Sequence, residues 1–321
     1  HMCKQLQQAG HEVVVFDNLS RGHADAVSGL ELFVGDLKNI DDIRQCLSQH
    51  DFDAVMHFAA LAYVGESVTA AREYYNNNVA GSANLLQAMS EFGINKIVFS
   101  STCATYGEPM ETPITEGHRQ LPVNPYGRTK MVVEGMLSDF AIADGLQSIA
   151  LRYFNAAGCD PSGQLGERHF PETHLIPLVL IEALRIQQGG DPADTQLKVF
   201  GGDFSTPDGT CIRDYVHVND LCQAHLLALE RLILNKVSGA EAYNLGNGTG
   251  FSVLDVINTC RTVTGLPITY QIIERRPGDP GALVGSAALA RSVLGWQPKH
   301  PDLNTIVATA WDWFTHSYRK N

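Results

Sequence analysis

The residues best suited to chemistry are Tyr126 and Lys130, in the segment Tyr126-Gly-Arg-Thr-Lys130 of this 321-residue sequence. Residues four apart lie on the same face of a helix, so the phenol and the ammonium are expected to point in the same direction. A tyrosine with its ordinary pKa of about 10 is a poor base at neutral pH, but a neighbouring cation favours the phenolate and lowers that pKa. The spacing therefore predicts an acid/base pair that can move a proton on a hydroxyl group.

Other polar side chains follow apolar runs that are predicted to be buried strands. Ser100 and Thr102 stand at the end of one run, and Asp17 ends another. The carboxyl ends of such strands are where these sheets bind ligands, so the Thr102 hydroxyl could bind a reacting oxygen. Asp17 could accept both ribose hydroxyls of an adenosine and repel a 2′-phosphate, which favours NAD over NADP. Taken alone, each residue is explained as well by a turn or a helix cap.

Three further groups are candidates for binding a dinucleotide or a diphosphate. Asp36 follows a short strand and could hold an adenine amino group, while the small residues of Phe58-Ala59-Ala60 could let the backbone approach a ligand. Arg213 and Arg276 suit phosphate oxygens, because a guanidinium presents paired donors. Each group also has a simpler explanation. Asp36 could be an ordinary surface residue, Phe58-Ala59-Ala60 could serve tight packing, and the two arginines could form surface ion pairs.

An alternation of strands and helices must position these residues. Apolar runs predict strands at 11–17, 32–35, 53–59, 96–101 and 147–155 and helices at 39–49, 72–92 and 126–143. Such near-continuous runs are typical of strands buried on both faces, so we predict an α/β, doubly wound parallel sheet of the Rossmann type.

The second half is predicted to form a smaller, mixed α/β substrate domain. Its helices are expected at 175–188, 219–235, 252–264 and 302–316, and its short strands near 197–200, 211–218, 242–245 and 268–273. We place the division near residue 155, giving domains 1–155 and 156–321, with some later segments crossing back onto the first domain.

The usual opening of a doubly wound domain is not found in the printed sequence. Such domains begin with a strand and a glycine-rich turn, G-x-G-x-x-G or a variant. This sequence begins with residues 2–9, which resemble the end of a helix, and Gly10 as its cap. We therefore expect the first strand and the glycine turn to be absent, and a chain without them to bind NAD poorly. The glycines of Tyr243–Gly250 predict a plain turn before a helix capped by Ser252.

Composition argues against several classes of function. Lys and Arg number 23 and Asp and Glu 35, for a net charge of −12, which disfavours a nucleic-acid or anionic-membrane binder. No apolar run is long enough for a membrane span. The seven dispersed cysteines contain no C-x-x-C pair and predict reduced thiols in the cytoplasm. The twelve histidines show no H-x-x-x-H or Cys/His cluster, so no metal site is predicted.

Taken together, several motifs resemble those of one known family. They are HEVVVFDNLSRG, VMHFAALAYVGES, YYNNNVAGS, VFSSTCATYGEP, NPYGRTK, LRYFNAAG, DGTCIRDYVHVNDL and RRPGD. From Gly10 to about Trp313 the sequence resembles the UDP-glucose 4-epimerase (UDP-galactose 4-epimerase) family of the extended short-chain dehydrogenase/reductase superfamily. The resemblance implies NAD-dependent interconversion of UDP-glucose and UDP-galactose through a 4-keto sugar, and a homodimer formed through the long helices.

The resemblance also implies roles for individual residues. Tyr126 would be the base, Lys130 would hold the nicotinamide ribose and tune Tyr126, and Thr102 would bridge to the sugar 4-hydroxyl. The other cofactor contacts would be Asp17 and Asn18 at the adenosine ribose, Asp36 and Leu37 at the adenine, Phe58, Ala59 and Ala60 along the cofactor, and Asn78, Ser100 and Tyr153 towards the nicotinamide. The substrate contacts would be Asn155, Leu175, Arg213, and Arg276 with Asp279 at the UDP part, and Phe200 at the uracil.

Departures from the family pattern leave alternatives open. Thr102 stands where many members have Ser, Ala62 where some have Lys, and His174 where others have Asn. Leu283 occupies a position thought to govern acceptance of N-acetylated sugars. The motifs also resemble a branch that includes pentose epimerases and epimerases of exopolysaccharide synthesis. A dehydratase is disfavoured because Cys103-Ala104 fill the places of an Asp-Glu pair, and a non-catalytic dinucleotide sensor because the Tyr–Lys pair is kept.

Overall fold

The computed structural model of the protein describes residues 1–276 and 279–316. Helices and strands alternate along the chain, as the apolar periodicity predicts. The α-helices in these residues are α1 Met2–Gln8, α2 Ile40–Leu47, α3 Val64–Thr69, α4 Ala71–Tyr74, α5 Gly81–Glu91, α6 Pro125–Asp144, α7 Leu175–Gln187, α8 Val218–Ile233, α9 Val253–Thr264 and α10 Leu303–His316. The strands are β1 Val14–Asp17, β2 Glu31–Val34, β3 Val55–His57, β4 Lys96–Thr102, β5 Gln147–Tyr153, β6 Asn155–Ala157, β7 Lys198–Phe200, β8 Ile212–Arg213, β9 Tyr215–His217, β10 Ala240–Leu245, β11 Phe251–Ser252, β12 Gln271–Ile273 and β13 Ala282–Leu283.

A four-stranded parallel sheet with the order β10-β5-β4-β3 forms the centre of the first half. Successive residues of β4 face opposite sides of this sheet. Val98 packs with α1 and α8, whereas Ile97 and Phe99 pack with α2, α5 and α6. Both faces are therefore covered by helices, which confirms the predicted doubly wound α/β architecture and explains why the strands read as continuous apolar runs.

A second parallel pair, β1 and β2, is not hydrogen-bonded to the four-stranded sheet. Residues of β1 and β3 both line a cleft of about 990 Å³ that lies between the two sheets. Among the described residues, no strand pairs with the side of β3 that is opposite β4, or with the side of β1 that is opposite β2. The cleft therefore separates the two sheets along the whole length of β1 and β3, and it includes the carboxyl ends of both strands.

The second half has its own core, in which α7, α9 and α10 pack together around Val179, Val256 and Ile306. The short sheets β12-β7 and β11-β8-β13 lie beside it. Two later elements belong to the first sheet instead, since β10 pairs with β5 and α8 packs on β4 and β5. No helix among the described residues is long and apolar enough to cross a membrane.

Three local features differ from the sequence prediction. The segment 211–218 is two strands broken at Asp214, because its carbonyl and carboxylate bind other segments. Helix 72–92 is interrupted by a π-helical turn over Tyr75–Ala80, and α3 was not predicted. The glycines of 246–250 do form a plain turn, since Ser252 caps α9 in a capping box with Asp255, as predicted.

Candidate active site

Tyr126 lies in the first turn of α6 and is positioned by the start of that helix. The Asn124 side chain accepts a hydrogen bond from the N–H of Gly127 at 2.8 Å, and Pro125 takes the first helical position, where no N–H is needed. Tyr126 is buried, and its phenol lies beside the side chain of Thr102, the last residue of β4. The helix and the strand thus bring two of the predicted catalytic groups into contact.

Lys130, one turn further along α6, is buried and held by β4. Its Nζ donates to the carbonyl of Ser100 at 2.8 Å and lies 4.7 Å from the centre of the Phe99 ring. The Ser100 hydroxyl is in turn 2.7 Å from the Tyr153 hydroxyl. Burial lowers the pKa of Lys130 to about 7, and the nearby Glu134 carboxylate opposes this shift.

The expected lowering of the Tyr126 pKa is not what the structure shows. Burial of the phenol raises this pKa, the neighbouring Tyr153 adds to the effect, and the Thr102 side chain opposes it. Lys130 is not among the main groups that shift it; burial lowers the pKa of Lys130 itself to about 7, so the lysine is largely uncharged where a buried phenol would ionise. Without a ligand, desolvation therefore outweighs the helix spacing on which the prediction was based.

A buried ionic network behind Lys130 was missed by the sequence analysis. The carboxylate of Glu134, one turn after Lys130, accepts five hydrogen bonds: from Arg152 Nη2 at 2.5 Å, from Arg152 Nε at 3.0 and 3.1 Å, from Ser101 Oγ at 2.5 Å and from Gln120 Nε2 at 2.9 Å. Arg152 Nη1 also donates to Tyr106 Oη at 3.0 Å. The sequence did contain a signal for this network. Glu134 lies four residues after Lys130 on the same face of the helix, and a buried carboxylate is expected to need a partner.

Asn78 has a positioning role in the structure and is carried by the π-helical turn. Its Oδ1 accepts from Leu61 N at 2.8 Å, while its Nδ2 donates to Leu61 O at 2.9 Å and to Thr129 Oγ1 at 3.1 Å. These bonds use the whole amide, so Asn78 fixes the loop after β3 against α6. The role of Asn78 towards a nicotinamide stays a prediction.

Seven of the predicted cofactor residues lie along the cleft between the two sheets. They come from the ends of β1, β2 and β3 and are Asp17, Asn18, Asp36, Leu37, Phe58, Ala59 and Ala60. The Asn18 amide donates to the Asp36 carboxylate at 3.2 Å, and the Asp17 carboxylate accepts from Leu19 N at 2.7 Å. Leu37 is mostly buried and its carbonyl accepts from Asn84, so its side chain belongs chiefly to the core.

Four of the predicted substrate residues form a cluster in the second half. Asp279 lies between two cations, with Oδ1 at 3.5 Å from Arg213 Nη2 and Oδ2 at 2.9 Å from Arg276 Nε. The Arg276 guanidinium lies 4.7 Å from the centre of the Phe200 ring. The cluster joins an aromatic face to two guanidinium groups, which suits a base and a diphosphate.

The other two predicted substrate residues make different contacts. Asn155 Nδ2 donates to the carbonyl of Asp214 at 2.9 Å, and Leu175 begins α7 and packs partly buried on the core of the second half. The turn after β10 binds a carboxylate of the protein itself, since Asn247 N and Gly248 N donate to Asp214 at 2.7 and 3.2 Å. Its glycines therefore serve an internal anion and not a phosphate.

Comparisons with known proteins agree with this architecture. Residues 1–246 match the sequence profile described as "NAD dependent epimerase/dehydratase family". The chain belongs to the NAD-dependent epimerase/dehydratase family. It is 49% identical over 313 residues to a UDP-glucose 4-epimerase of Halalkalibacterium halodurans, covering 98% of this chain and 91% of that one.

Solved structures of the family are closely similar as well. A UDP-glucose 4-epimerase from Brucella ovis in complex with NAD is 45% identical and superposes with a TM-score of 0.91, over 97% of this chain and 93% of that one. One from Bifidobacterium longum in complex with NAD⁺ and UDP is 34% identical, with a TM-score of 0.92 over 100% of this chain and 96% of that one. The fold predicted from sequence is therefore that of the family.

The chemistry of the cleft fits the family cofactor. Carboxylates at the ends of β1 and β2, which line the cleft, can accept ribose and adenine donors. Ala59 and Ala60 present only methyl groups, which leaves the backbone after β3 accessible to a ligand. In this fold the residues that would hold the adenosine half of NAD are thus assembled on neighbouring strand ends.

Gly127 allows the start of α6 to pack directly on the segment after Thr102. A Cβ at this position would lie 2.3 Å from the carbonyl oxygen of Ala104, so Gly127→Ala must push the helix away from β4. Because Tyr126 and Thr102 lie on either side of this contact, we expect kcat to fall at least tenfold (~1 kcal/mol or more of lost alignment). Steady-state kinetics of the purified variant would measure it.

The matched control is Gly135→Ala on the same helix, where nothing lies within 4 Å of the added Cβ. This variant should keep its kcat and gain about 0.5–1 kcal/mol of stability, because alanine favours the helix. Equal kcat values for the two variants would show that the close contact at Ala104 does not position the site.

Proposed function

We propose that the protein is a UDP-glucose 4-epimerase, which interconverts UDP-glucose and UDP-galactose with bound NAD. The observation that carries this proposal is the juxtaposition of Tyr126 and Thr102, both buried near Lys130 at the carboxyl end of β4. The relatives named above support it. We also assign residues 1–155 to NAD binding and residues 156–321 chiefly to the UDP-sugar.

The reaction requires one group that takes and returns a proton at the sugar 4-hydroxyl. When bound, the cofactor would supply the hydride acceptor at C4, as NAD⁺, and the hydride donor to the 4-keto sugar, as NADH. Tyr126 Oη would accept the hydroxyl proton as C4 becomes a ketone and donate it back at the end. The Thr102 hydroxyl would orient the same oxygen, since it lies beside the phenol.

The protonation state of Lys130 matters because burial disfavours the Tyr126 phenolate, which a nearby positive charge would stabilise. Burial holds the pKa of Lys130 at about 7, so its positive charge is only partly present at neutral pH. Glu134 favours the charged form, and the Ser100 carbonyl fixes the ammonium beside β4. We assign Lys130 to the nicotinamide ribose and to lowering the pKa of Tyr126 once a ligand draws the ammonium from Ser100.

The cluster of Phe200, Arg213, Arg276 and Asp279 is assigned to the UDP part of the substrate. Arg276→Met should raise KM for UDP-galactose at least tenfold with little change in kcat, because it removes a cation used equally in the ground and transition states. Arg275→Met is the matched control, since the neighbouring Arg275 binds Asp203 at 2.6 Å and lies over Phe204. Initial rates at varied UDP-galactose test this, and equal KM values would remove Arg276 from the site.

The alternative substrates are UDP-pentoses and UDP-N-acetylhexosamines. Leu283 lies in β13 and packs against the cluster of Tyr106, Ile114 and Phe154, where the size of its side chain would limit the space at the sugar. The test is to incubate the NAD-loaded protein with UDP-galactose, UDP-xylose and UDP-N-acetylgalactosamine separately and identify products by NMR. If UDP-galactose is converted fastest, the proposal is supported. If UDP-xylose is converted faster, a UDP-pentose is the substrate and the proposed mechanism is unchanged.

We further propose a cytoplasmic homodimer. The cytoplasm suits the seven cysteines, all of which are free. The helices that would form the interface expose apolar side chains, with Ile142 of α6 87% exposed and Tyr75 and Phe92 about 40% exposed. Sedimentation of the wild-type protein and of Ile142→Glu would test this, and a wild-type monomer would contradict it.

A further inference from the structure

The loop between β6 and α7 gathers four side chains that can ligate a metal ion. These are Glu167, His169, Glu172 and His174, and one ligand atom of each lies within 4.8 Å of the others. The spacing E-x-H-x-x-E-x-H places all four within eight residues. This pattern lies outside the H-x-x-x-H and Cys/His spacings on which the prediction of no metal site was based.

The four ligand atoms lie within 4.8 Å of one another, and several pairs are close to the separations of a small coordination shell. His174 Nδ1 lies 2.8 Å from Glu167 Oε1 and 3.1 Å from Glu172 Oε1. His169 Nδ1 lies 3.2 Å from Glu167 Oε1 and 3.8 Å from Glu172 Oε2. Four ligands at ~2.0–2.1 Å around a tetrahedral ion are ~3.4 Å apart, so small shifts would bring these atoms to the corners of the shell.

Other contacts hold the ligands in place independently of an ion. Glu172 Oε1 accepts from the backbone N–H groups of Thr173 and His174 at 2.7 and 2.8 Å. The backbone of Glu167 is tied to α10, since Trp313 Nε1 donates to its carbonyl at 3.2 Å. The Tyr63 ring stands edge-on to His169 at 5.9 Å. The cluster is thus supported from both halves of the molecule.

One nitrogen in this cluster lacks the bond that burial requires. Nδ1 of His169 is buried and has no hydrogen-bond partner of acceptable geometry, although Glu167 Oε1 is only 3.2 Å away. A buried imidazole nitrogen without such a bond is costly unless another group satisfies it. Its neighbours are two carboxylates and a second imidazole, with the two rings 5.1 Å apart, and a cation between them would satisfy all four.

We infer that Glu167, His169, Glu172 and His174 form a binding site for a divalent transition-metal ion of the Zn²⁺ class. Two imidazole nitrogens and two carboxylate oxygens are a donor set for Zn²⁺, Co²⁺ or Ni²⁺, whereas Ca²⁺ and Mg²⁺ take oxygen ligands. The ion would fasten the loop 158–174 to the start of α7 and to Tyr63. The site adjoins Leu175, a predicted contact of the UDP part, but the inference does not rest on the proposed epimerase reaction.

Cobalt(II) alone is the probe that tests the site. Wild-type protein freed of metal with a chelator is titrated with Co²⁺, and the visible absorption of tetrahedral Co²⁺ is recorded. We expect one equivalent to bind, with the strong bands of a four-coordinate site and two paramagnetically shifted imidazole N–H signals. Added Zn²⁺ should displace the Co²⁺ and raise Tm.

Variants then locate the bound ion. His169→Gln and Glu172→Gln should each weaken Co²⁺ binding at least tenfold. His50→Gln is the control, because His50 also lies 3.0 Å from a carboxylate, that of Glu31, but on the surface. Circular dichroism shows whether each variant is folded, and the count of shifted imidazole signals in the wild type decides the matter without variants.

Three results would overturn the inference. They are the absence of one-equivalent binding in the wild type, a number of ligated histidines other than two, and binding that persists unchanged in both folded variants. The last would place the ion elsewhere, for example at His1. In that event the four side chains are an ion-pair cluster only.

Discussion

Tyr126→Phe is expected to lower kcat for UDP-galactose by about 10²–10⁴-fold, the range associated with loss of a general acid/base. The phenyl ring fills the same buried space, so the fold, the NAD content and KM should change little. The effect is expected because Tyr126 is the proposed acceptor of the 4-hydroxyl proton and its phenol lies beside Thr102 at the end of β4. The coupled assay for UDP-glucose measures it.

Tyr270→Phe is the matched control for this prediction. Tyr270 lies against Arg261 in the second half, at 5.7 Å from the guanidinium to the ring centre, and carries no proposed role. Loss of the Tyr270 hydroxyl in this variant should leave kcat unchanged. If Tyr126→Phe retained more than a tenth of the wild-type kcat while binding NAD normally, Tyr126 would not be the base and the proposed mechanism would be wrong.

The second large effect is expected from Arg152→Met, which should reduce the free energy of unfolding by about 3–5 kcal/mol. Both members of the Glu134–Arg152 pair are about nine-tenths buried, and their closest atoms are 2.5 Å apart. Removing the guanidinium leaves the Glu134 carboxylate buried with only Ser101 and Gln120 as partners. Urea denaturation of both proteins measures the difference.

Two comparisons separate this cause from a general loss of packing. The double variant Glu134→Leu/Arg152→Met should be more stable than Arg152→Met, because it removes the unpaired charge. Arg44→Met breaks a pair of similar geometry at the surface, 2.8 Å from Glu91, and should change stability little. A double variant no more stable than Arg152→Met would show that the buried charge is not the cause.

Much of the fold follows from apolar periodicity, because buried parallel strands and amphipathic helices leave strong patterns. The runs ending at Asp17 and at Thr102 are strands that end where we predicted, within a residue. The π-helical turn at Tyr75–Ala80 left no such pattern, since it depends on the three-dimensional bonds of Asn78 to Leu61 and Thr129. The expectation of an absent first strand and glycine turn stays a prediction.

The candidate site was predictable to a lesser degree, and the reason is electrostatic. Spacing correctly brought Tyr126 and Lys130 onto one buried face of α6, and chain order placed Thr102 beside Tyr126. The pKa of a group depends on its burial and on all its neighbours, which spacing does not specify. Burial of Tyr126 therefore reversed the predicted pKa shift, and the network of Glu134 and Arg152 appeared only in three dimensions.

The most direct test of the account uses UDP-galactose carrying deuterium at C4, incubated with NAD-loaded protein and no added NAD. The account predicts that UDP-glucose accumulates to equilibrium with the deuterium still at C4, because the hydride returns to the carbon that it left. NMR of the sugar C4 position reports both the product and the label. Loss of the deuterium to water, or no UDP-glucose from folded protein with NAD bound, would contradict the proposed epimerase mechanism.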